Sequence, residues 1–288
     1  MSRHPRPIDW QSALLIAAQC VVLSSCASAV QQGERFASTH RFERDTVGGV
    51  EFRHVVFRNS VAPGAELHVY LDGDGSPFST PHAVATDPTP HDPLMLRLMA
   101  LDPSPSVYIG RPCYWGLASD PQCDPIYWTL GRFNSAVIDS CSAAIQNELA
   151  RSKAGHWSLY AHSGGAAIAL LVAQRLPPAD RIVTIGGNLD TDAWSRLHGY
   201  TPLSASENPA TQLESRIGIP ATHYVGSQDS NTPPSLVRAA AEKVGGEVIV
   251  VEDYSHTCCW ENLWEEILEM RTTPATNISL PKDQTHAL

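Results

Sequence analysis

Ser163 stands in Trp157-Ser158-Leu159-Tyr160-Ala161-His162-Ser163-Gly164-Gly165, a strand-forming run that passes into the small residues Ala166-Ala167-Ile168-Ala169. A serine on a sharp turn between strand and helix lifts its hydroxyl clear of the backbone. Small neighbours let the two elements close up, and the helix N-terminus favours negative charge beside them. The pattern Ala-His-Ser-Gly-Gly departs from Gly-x-Ser-x-Gly only at Ala161, a substitution such a turn tolerates. The competing explanation is a glycine-rich helix cap with an incidental serine. A serine hydroxyl is a weak nucleophile, so acyl transfer needs a base to take its proton and a carboxylate to orient that base. Downstream, Thr222 to Val225 runs into Gly226-Ser227-Gln228-Asp229, and Glu247 to Val251 runs into Glu252-Asp253-Tyr254-Ser255-His256. Ser163, Asp229 and His256 each fall just beyond the end of a predicted strand and are the candidate nucleophile, acid and base.

Two other carboxylates compete with Asp229. Asp190, in Asn188-Leu189-Asp190-Thr191-Asp192, follows another strand and is a relocated-acid candidate, whereas Asp253 lies three residues before His256 and fits a solvated loop or a supporting position. His162 adjoins the serine, but neighbours on a sharp turn point in different directions, so it is expected to pack or hydrogen-bond beneath the site. The other histidines, among them His54, His68, His82, His91 and His223, are assigned no role.

The elements that must position these residues alternate between strand-forming and amphipathic stretches, the order of a mostly parallel sheet with helices on both faces. Strands are expected at Glu51 to Arg58, Glu66 to Leu71, Ser106 to Ile109, Trp157 to Ala161, Arg181 to Ile185, Thr222 to Val225 and Glu247 to Val251. Helices are expected at Phe133 to Arg151, Gly164 to Leu176, Pro233 to Val244 and Cys259 to Met270. The first two strands, linked through Pro63-Gly64, predict an antiparallel hairpin at one edge. The long connection from Asn188 to Ile217 carries Trp194, Leu197, Tyr200 and Leu203 and is a candidate pocket roof, with the Cys113 to Tyr127 loop as a second wall. Trp260, Trp264 and Leu268 recur at helical spacing and predict core.

From about Phe52 to Met270 the chain resembles the α/β-hydrolase superfamily, whose acid and base follow the serine in the order found here. Tyr70-Leu71-Asp72-Gly73-Asp74-Gly75, Gly110-Arg111-Pro112-Cys113, Trp128-Thr129 and Gly187-Asn188-Leu189-Asp190 make it similar to uncharacterised bacterial hydrolases that are often lipoproteins. The resemblance implies an oxyanion hole built from the backbone N–H of Gly164 and one from the loop after the third strand. By position that second donor is Asp74, with Gly75 as the alternative, because a carboxylate at Asp74 opposes an oxyanion unless it points away. A metal loop is the rival reading of Asp72 to Gly75, but the spaced acidic ligand that completes a calcium loop is missing. The implied activity is hydrolysis by a Ser-Asp-His triad, foremost of small or medium acyl esters. Thioesterase or peptidase activity, or a non-catalytic binding role, are the alternatives. These steps call for no metal and no organic cofactor, and the partner is a small ester-like substrate.

A formal net charge of -10, without a Lys/Arg run, argues against nucleic-acid binding. Residues 1–26 have the pattern of an export signal, with Arg3 and Arg6 before the mostly apolar run Ala13 to Leu23. Leu23-Ser24-Ser25-Cys26 resembles a lipobox, which would make Cys26 the lipidated N-terminus of an envelope lipoprotein. Cleavage after Ala27-Ser28-Ala29 and simple secretion is the other reading. Residues 27–50 then form a linker, 51–271 the hydrolase domain and 272–288 a polar tail. An oxidising compartment suits a Cys113–Cys123 disulfide across a short Pro- and Gly-containing loop, while Cys258 or Cys259 could reach Cys141 or stay free. Oligomeric state is left open.

Overall fold

A computed structural model of the chain describes residues 27–59, 66–213 and 218–270. The export signal with Cys26, the Pro63-Gly64 link and the polar tail lie outside the described residues. Residues 27–50 are not a linker. They hold α1 (Ala29–Thr39), started by a reciprocal capping box between Ser28 and Gln31, and β1 (Glu43–Gly48). β1 pairs antiparallel along its whole length with β2 (Arg53–Arg58), from Glu43 opposite Arg58 to Gly48 opposite Arg53.

Next come β3 (Leu67–Leu71), a short ribbon of β4 (Phe78–Thr80) and β5 (Ala83–Val84), α2 (Leu94–Met99) and β6 (Ser106–Ile109). From there helices and strands alternate: α3 (Ser135–Ser152), β7 (Trp157–His162), α4 (Gly164–Val172), β8 (Arg181–Ile185), α5 (Thr191–His198), α6 (Pro209–Gln212), β9 (Ala221–Gly226), α7 (Pro234–Val244), β10 (Glu247–Val251) and α8 (Trp264–Glu269). The strands form one eight-stranded sheet in the order β1-β2-β6-β3-β7-β8-β9-β10. From β6 onward all pairs are parallel, and β2 meets both its neighbours antiparallel.

The expected edge hairpin is therefore wrong: β2 pairs with β1 and β6, and β3 lies between β6 and β7, parallel to both. Every residue of β3 is buried, and a strand covered on both faces belongs in the interior of the sheet.

Successive strand residues point to opposite faces, so the sheet builds two cores. Val69, Val107, Leu159, Ile182 and Val225 pack with α3, α4 and α7 on one side. Tyr70, Tyr108, Tyr160, Val183 and Tyr224 pack with α2 and α8 on the other, together with Ala37 and Phe36 of α1. Trp260 and Trp264 are fully buried and Leu268 is partly buried against the same core, as the helical spacing predicts. The Cys113–Cys123 disulfide is present. Cys258 and Cys259 are bonded to each other and neither reaches Cys141, which is a buried free thiol.

Candidate active site

β7 ends in the middle of the parallel strands, and the chain turns there through Ser163, at φ 52° and ψ -123°, into α4. A non-glycine residue at positive φ costs about 1 to 3 kcal/mol, so the surroundings must hold the turn in place. Ser163 N–H donates to Ile185 O at 3.0 Å, and the Ser163 carbonyl accepts from Ala166 N and Asn188 N, both at 3.0 Å. Gly165 is needed for a different reason. A Cβ there would press within 2.5 Å of the Leu71 and Asp72 carbonyls, so only glycine lets α4 start this close to β3.

Asp229 and His256 meet beyond the ends of β9 and β10, with Asp229 Oδ2 at 2.8 Å from His256 Nδ1. Asp229 Oδ1 accepts the backbone N–H groups of Asn231 (2.9 Å) and Thr232 (2.8 Å), and the Thr232 hydroxyl lies 3.0 Å from Oδ2. Burial alone would raise the Asp229 carboxyl, but the bonds from His256 and Thr232 outweigh it and hold its pKa below the ordinary value. An ionised carboxylate only accepts, so His256 carries its proton on Nδ1 and presents a lone pair at Nε2. Burial lowers the His256 pKa and is only partly offset by Asp229, while neighbouring His162 pushes the same way. Gly186, at φ 50°, passes beside this pair: a Cβ there would lie 2.9 Å from both Asp229 Oδ2 and His256 Nδ1.

The rival acids are engaged elsewhere. Asp190 caps α5 by accepting from Ala193 N and pairs with Lys243 Nζ at 2.6 Å, and Asp253 accepts from Gln228 Nε2 on the exposed surface. His162 sits under the site as its position predicts. Its Nε2–H donates to the His256 carbonyl at 3.0 Å, and its ring lies 4.7 Å from that of His256.

The loop after β3 approaches Ser163 through Gly73, where a Cβ would come 3.1 Å from the serine Cβ. The Asp74 carboxylate does not turn away from α4, since a Cβ on Gly164 would overlap its Oδ1. Two guanidinium groups offset its charge: Arg111 Nη1 lies 2.5 Å from Oδ1 and Arg132 Nη1 2.6 Å from Oδ2. Burial works to raise the Asp74 pKa, but Arg132 and Arg111 more than offset it and keep the group ionised.

These groups border a cavity of about 890 Å³ lined by Ser163, His162, His256, Asp74, Arg132 and Asn188. Trp194, Tyr200 and Leu203 form part of its wall, as expected of the long connection, whereas Leu197 is turned out to solvent. The opposite wall is not the Cys113 to Tyr127 loop. Tyr114 and Trp115 are buried in the core, and residues 73–78, Pro81 and 90–92 take that place. Asn188 is buried on this cavity with no partner for its Oδ1 among the described residues. The structure joins Asp229 to His256 and sets Ser163 in the same cavity, but no hydrogen bond links Ser163 to His256. The Nε2 lone pair is occupied by Asn231 Nδ2 at 2.9 Å. The sequence assigns no role to Asn231, Thr232, Gly186, Arg111 or Arg132: Arg111 stands in the Gly110-Arg111-Pro112-Cys113 likeness, and the others look like ordinary loop residues. An Asx-type pattern after Asp229, with Asn231 and Thr232 two and three residues on, was the available signal.

No protein-family model matches the chain, and no curated protein matches it in sequence. Solved structures do match in fold. A membrane phospholipase A described as a bacterial virulence factor superposes with a TM-score of 0.58 at 12% identity, over 90% of this chain and 96% of that one. An esterase of Pyrococcus furiosus gives 0.56 at 13% identity, over 80% and 90% of the two chains. A proline iminopeptidase-related protein of Thermus thermophilus gives 0.53 at 14%, over 80% and 96%. The chain has the α/β-hydrolase fold, with its mostly parallel eight-stranded sheet and helices on both faces. At these identities the likeness is one of fold and carries no substrate.

Proposed function

We propose that the protein is a serine hydrolase acting on carboxylic esters of small or medium acyl groups. The observation that carries this reading is the neutral His256, oriented by a buried ionised Asp229, in the cavity that also holds Ser163 at positive φ. In the proposed reaction the Ser163 oxygen attacks the ester carbonyl carbon while its proton passes to His256 Nε2. The carbonyl electron pair moves to oxygen, facing the backbone N–H groups of Gly164 and Asp74. Collapse expels the alcohol, which takes the proton from His256, and water then releases the acid by the same steps in reverse order. Asp229 stabilises the imidazolium without itself being protonated. Pro77, Phe78, Trp194, Tyr200 and Leu203 on the cavity walls suit an acyl chain.

The test is turnover of a short-chain nitrophenyl ester by the parent protein and by folded Ser163→Ala. Loss of at least about a thousandfold in kcat is expected. Retained turnover would sink the assignment, and failure of a phosphonate to label the parent would favour a non-catalytic member of the fold. Thioester or peptide substrates pass through the same acyl-enzyme, and product assays on each class separate them. We further propose export with lipidation at Cys26. Cys26→Ala should then abolish fatty-acid incorporation and release the protein from membranes, and persistent labelling would refute the anchor.

A further inference from the structure

Asn231 holds the one ring atom of His256 that a base must keep available. Its Nδ2 lies 2.9 Å from His256 Nε2. Which end of the amide faces the histidine follows from chemistry: Asn231 Oδ1 receives the indole N–H of Trp194 at 3.2 Å, and an indole nitrogen can only donate. The NH₂ end therefore points at His256, and it can donate only to an unprotonated Nε2. The backbone of Asn231 is also tied at both ends, its N–H to Asp229 Oδ1 at 2.9 Å and its carbonyl to His198 Nε2 at 2.8 Å. Trp194 and His198 belong to α5, and Trp194, Asn231 and His256 all line the cavity.

We propose that Asn231 is a latch on the general base, closed while Trp194 holds its amide and opened when substrate in the cavity displaces the Trp194–Asn231 pair. This rests on the serine hydrolase reading above. While closed, the amide donor fixes the Nδ1–H tautomer and the ring orientation but blocks the lone pair that must receive the Ser163 proton. Once His256 is protonated, Nε2–H and the amide N–H are two donors face to face, so the closed arrangement and the imidazolium exclude each other. Opening exchanges Asn231 Nδ2–H···Nε2 for Ser163 Oγ–H···Nε2, with no net loss of hydrogen bonds at the base. Asn231 thus acts through His256 as a positioning residue and makes proton transfer conditional on an occupied cavity.

The charged and titratable groups facing His256 are Asp229 at Nδ1, His162 beneath the ring and Asp74 across the cavity. None of them changes in the test. In the full chain, the His256 imidazole is titrated by ¹⁵N NMR, assigned by its loss in His256→Gln. In parallel, the rate at which a small alkyl phosphonofluoridate labels Ser163 is measured against pH. Asn231→Ala removes a donor that favours the neutral ring, so the His256 midpoint rises by about half to one pH unit. Labelling near neutral pH should quicken by about fivefold, the factor one ordinary hydrogen bond represents. Asn231→Asp raises the midpoint further, because a carboxylate accepts from the protonated Nε2, and it slows labelling. Trp194→Phe leaves Asn231 intact but frees its amide to turn, so it gives a smaller rise in the same direction even if the Asn231 variants fold poorly. Unmoved midpoints in all three variants overturn the latch while Ser163 of the parent still labels. If the parent does not label at all, the hydrolase reading falls and the latch with it.

Discussion

Asp74 puts a carboxylate where a developing oxyanion needs the opposite charge, and the two arginines around it resolve that conflict. Arg111 also donates to the Arg132 carbonyl and Arg132 to the Thr129 carbonyl, so both guanidinium groups are held in place before any substrate arrives. Arg111 and Arg132 thus balance the two acidic side chains of the loop, Asp72 and Asp74, close to Ser163. In Arg132→Met that balance tips negative. Acylation should slow by about tenfold or more in kcat, with KM changed much less, since the lost interaction strengthens only as charge develops on the carbonyl oxygen. Adding Asp74→Asn to Arg132→Met should recover most of the rate, and steady-state kinetics on the nitrophenyl ester decides. A double variant as slow as the single one would mean that Arg132 acts by shape and not by charge.

The sequence showed some elements clearly and others not at all. Strands buried on both faces, such as β3 and β7, are mostly apolar runs broken only by His68, Ser158 and His162, and the elbow at Ser163 follows from a strand meeting a run of small residues. β1 carries Glu43, Arg44 and Asp45 on an exposed edge, where the alternation that marks a half-buried strand is absent, and so it resembled linker. A Pro-Gly between two strands signals a reversal, yet nothing local records that β3 pairs with β6 and β7, both of which follow much later in the chain. Loop ends after β8, β9 and β10 were found from strand ends alone. Which carboxylate met His256 was left to chain order, and the partners of Asp190 that draw it away, Lys243 of α7 and Asn208, lie far from it in sequence. The Asn231 contact was illegible because it depends on Trp194, 37 residues earlier, fixing an amide orientation.

At the scale of the whole molecule, two histidines with no part in the site contribute to the response to acid. His54 is fully buried between β6 and α3, donating Nδ1–H to the Gly110 carbonyl and accepting from Ser140 at Nε2. His223 is likewise buried, donating Nε2–H to the Gly245 carbonyl and accepting from Thr184. Burial pushes both down to about 4. An unfolded histidine takes its proton near pH 6.5, so the stability these two confer is complete above that pH. It is lost as pH falls from about 6.5 toward 4, by about 1.4 kcal/mol per pH unit for each histidine. Melting temperature should fall over that window, and His223→Gln should shallow the slope. A flat profile between pH 6.5 and 4.5 would contradict the burial of both rings as neutral groups. Position 163 makes a different demand on the same fold. At φ 52° a glycine would relax the turn, and if folding were the only trait under selection, random drift would leave one there. A side chain held in that conformation is information the fold does not need, stored at the one turn where strand, helix and cavity meet. Ser163→Gly should therefore be the more heat-resistant protein and the inert one.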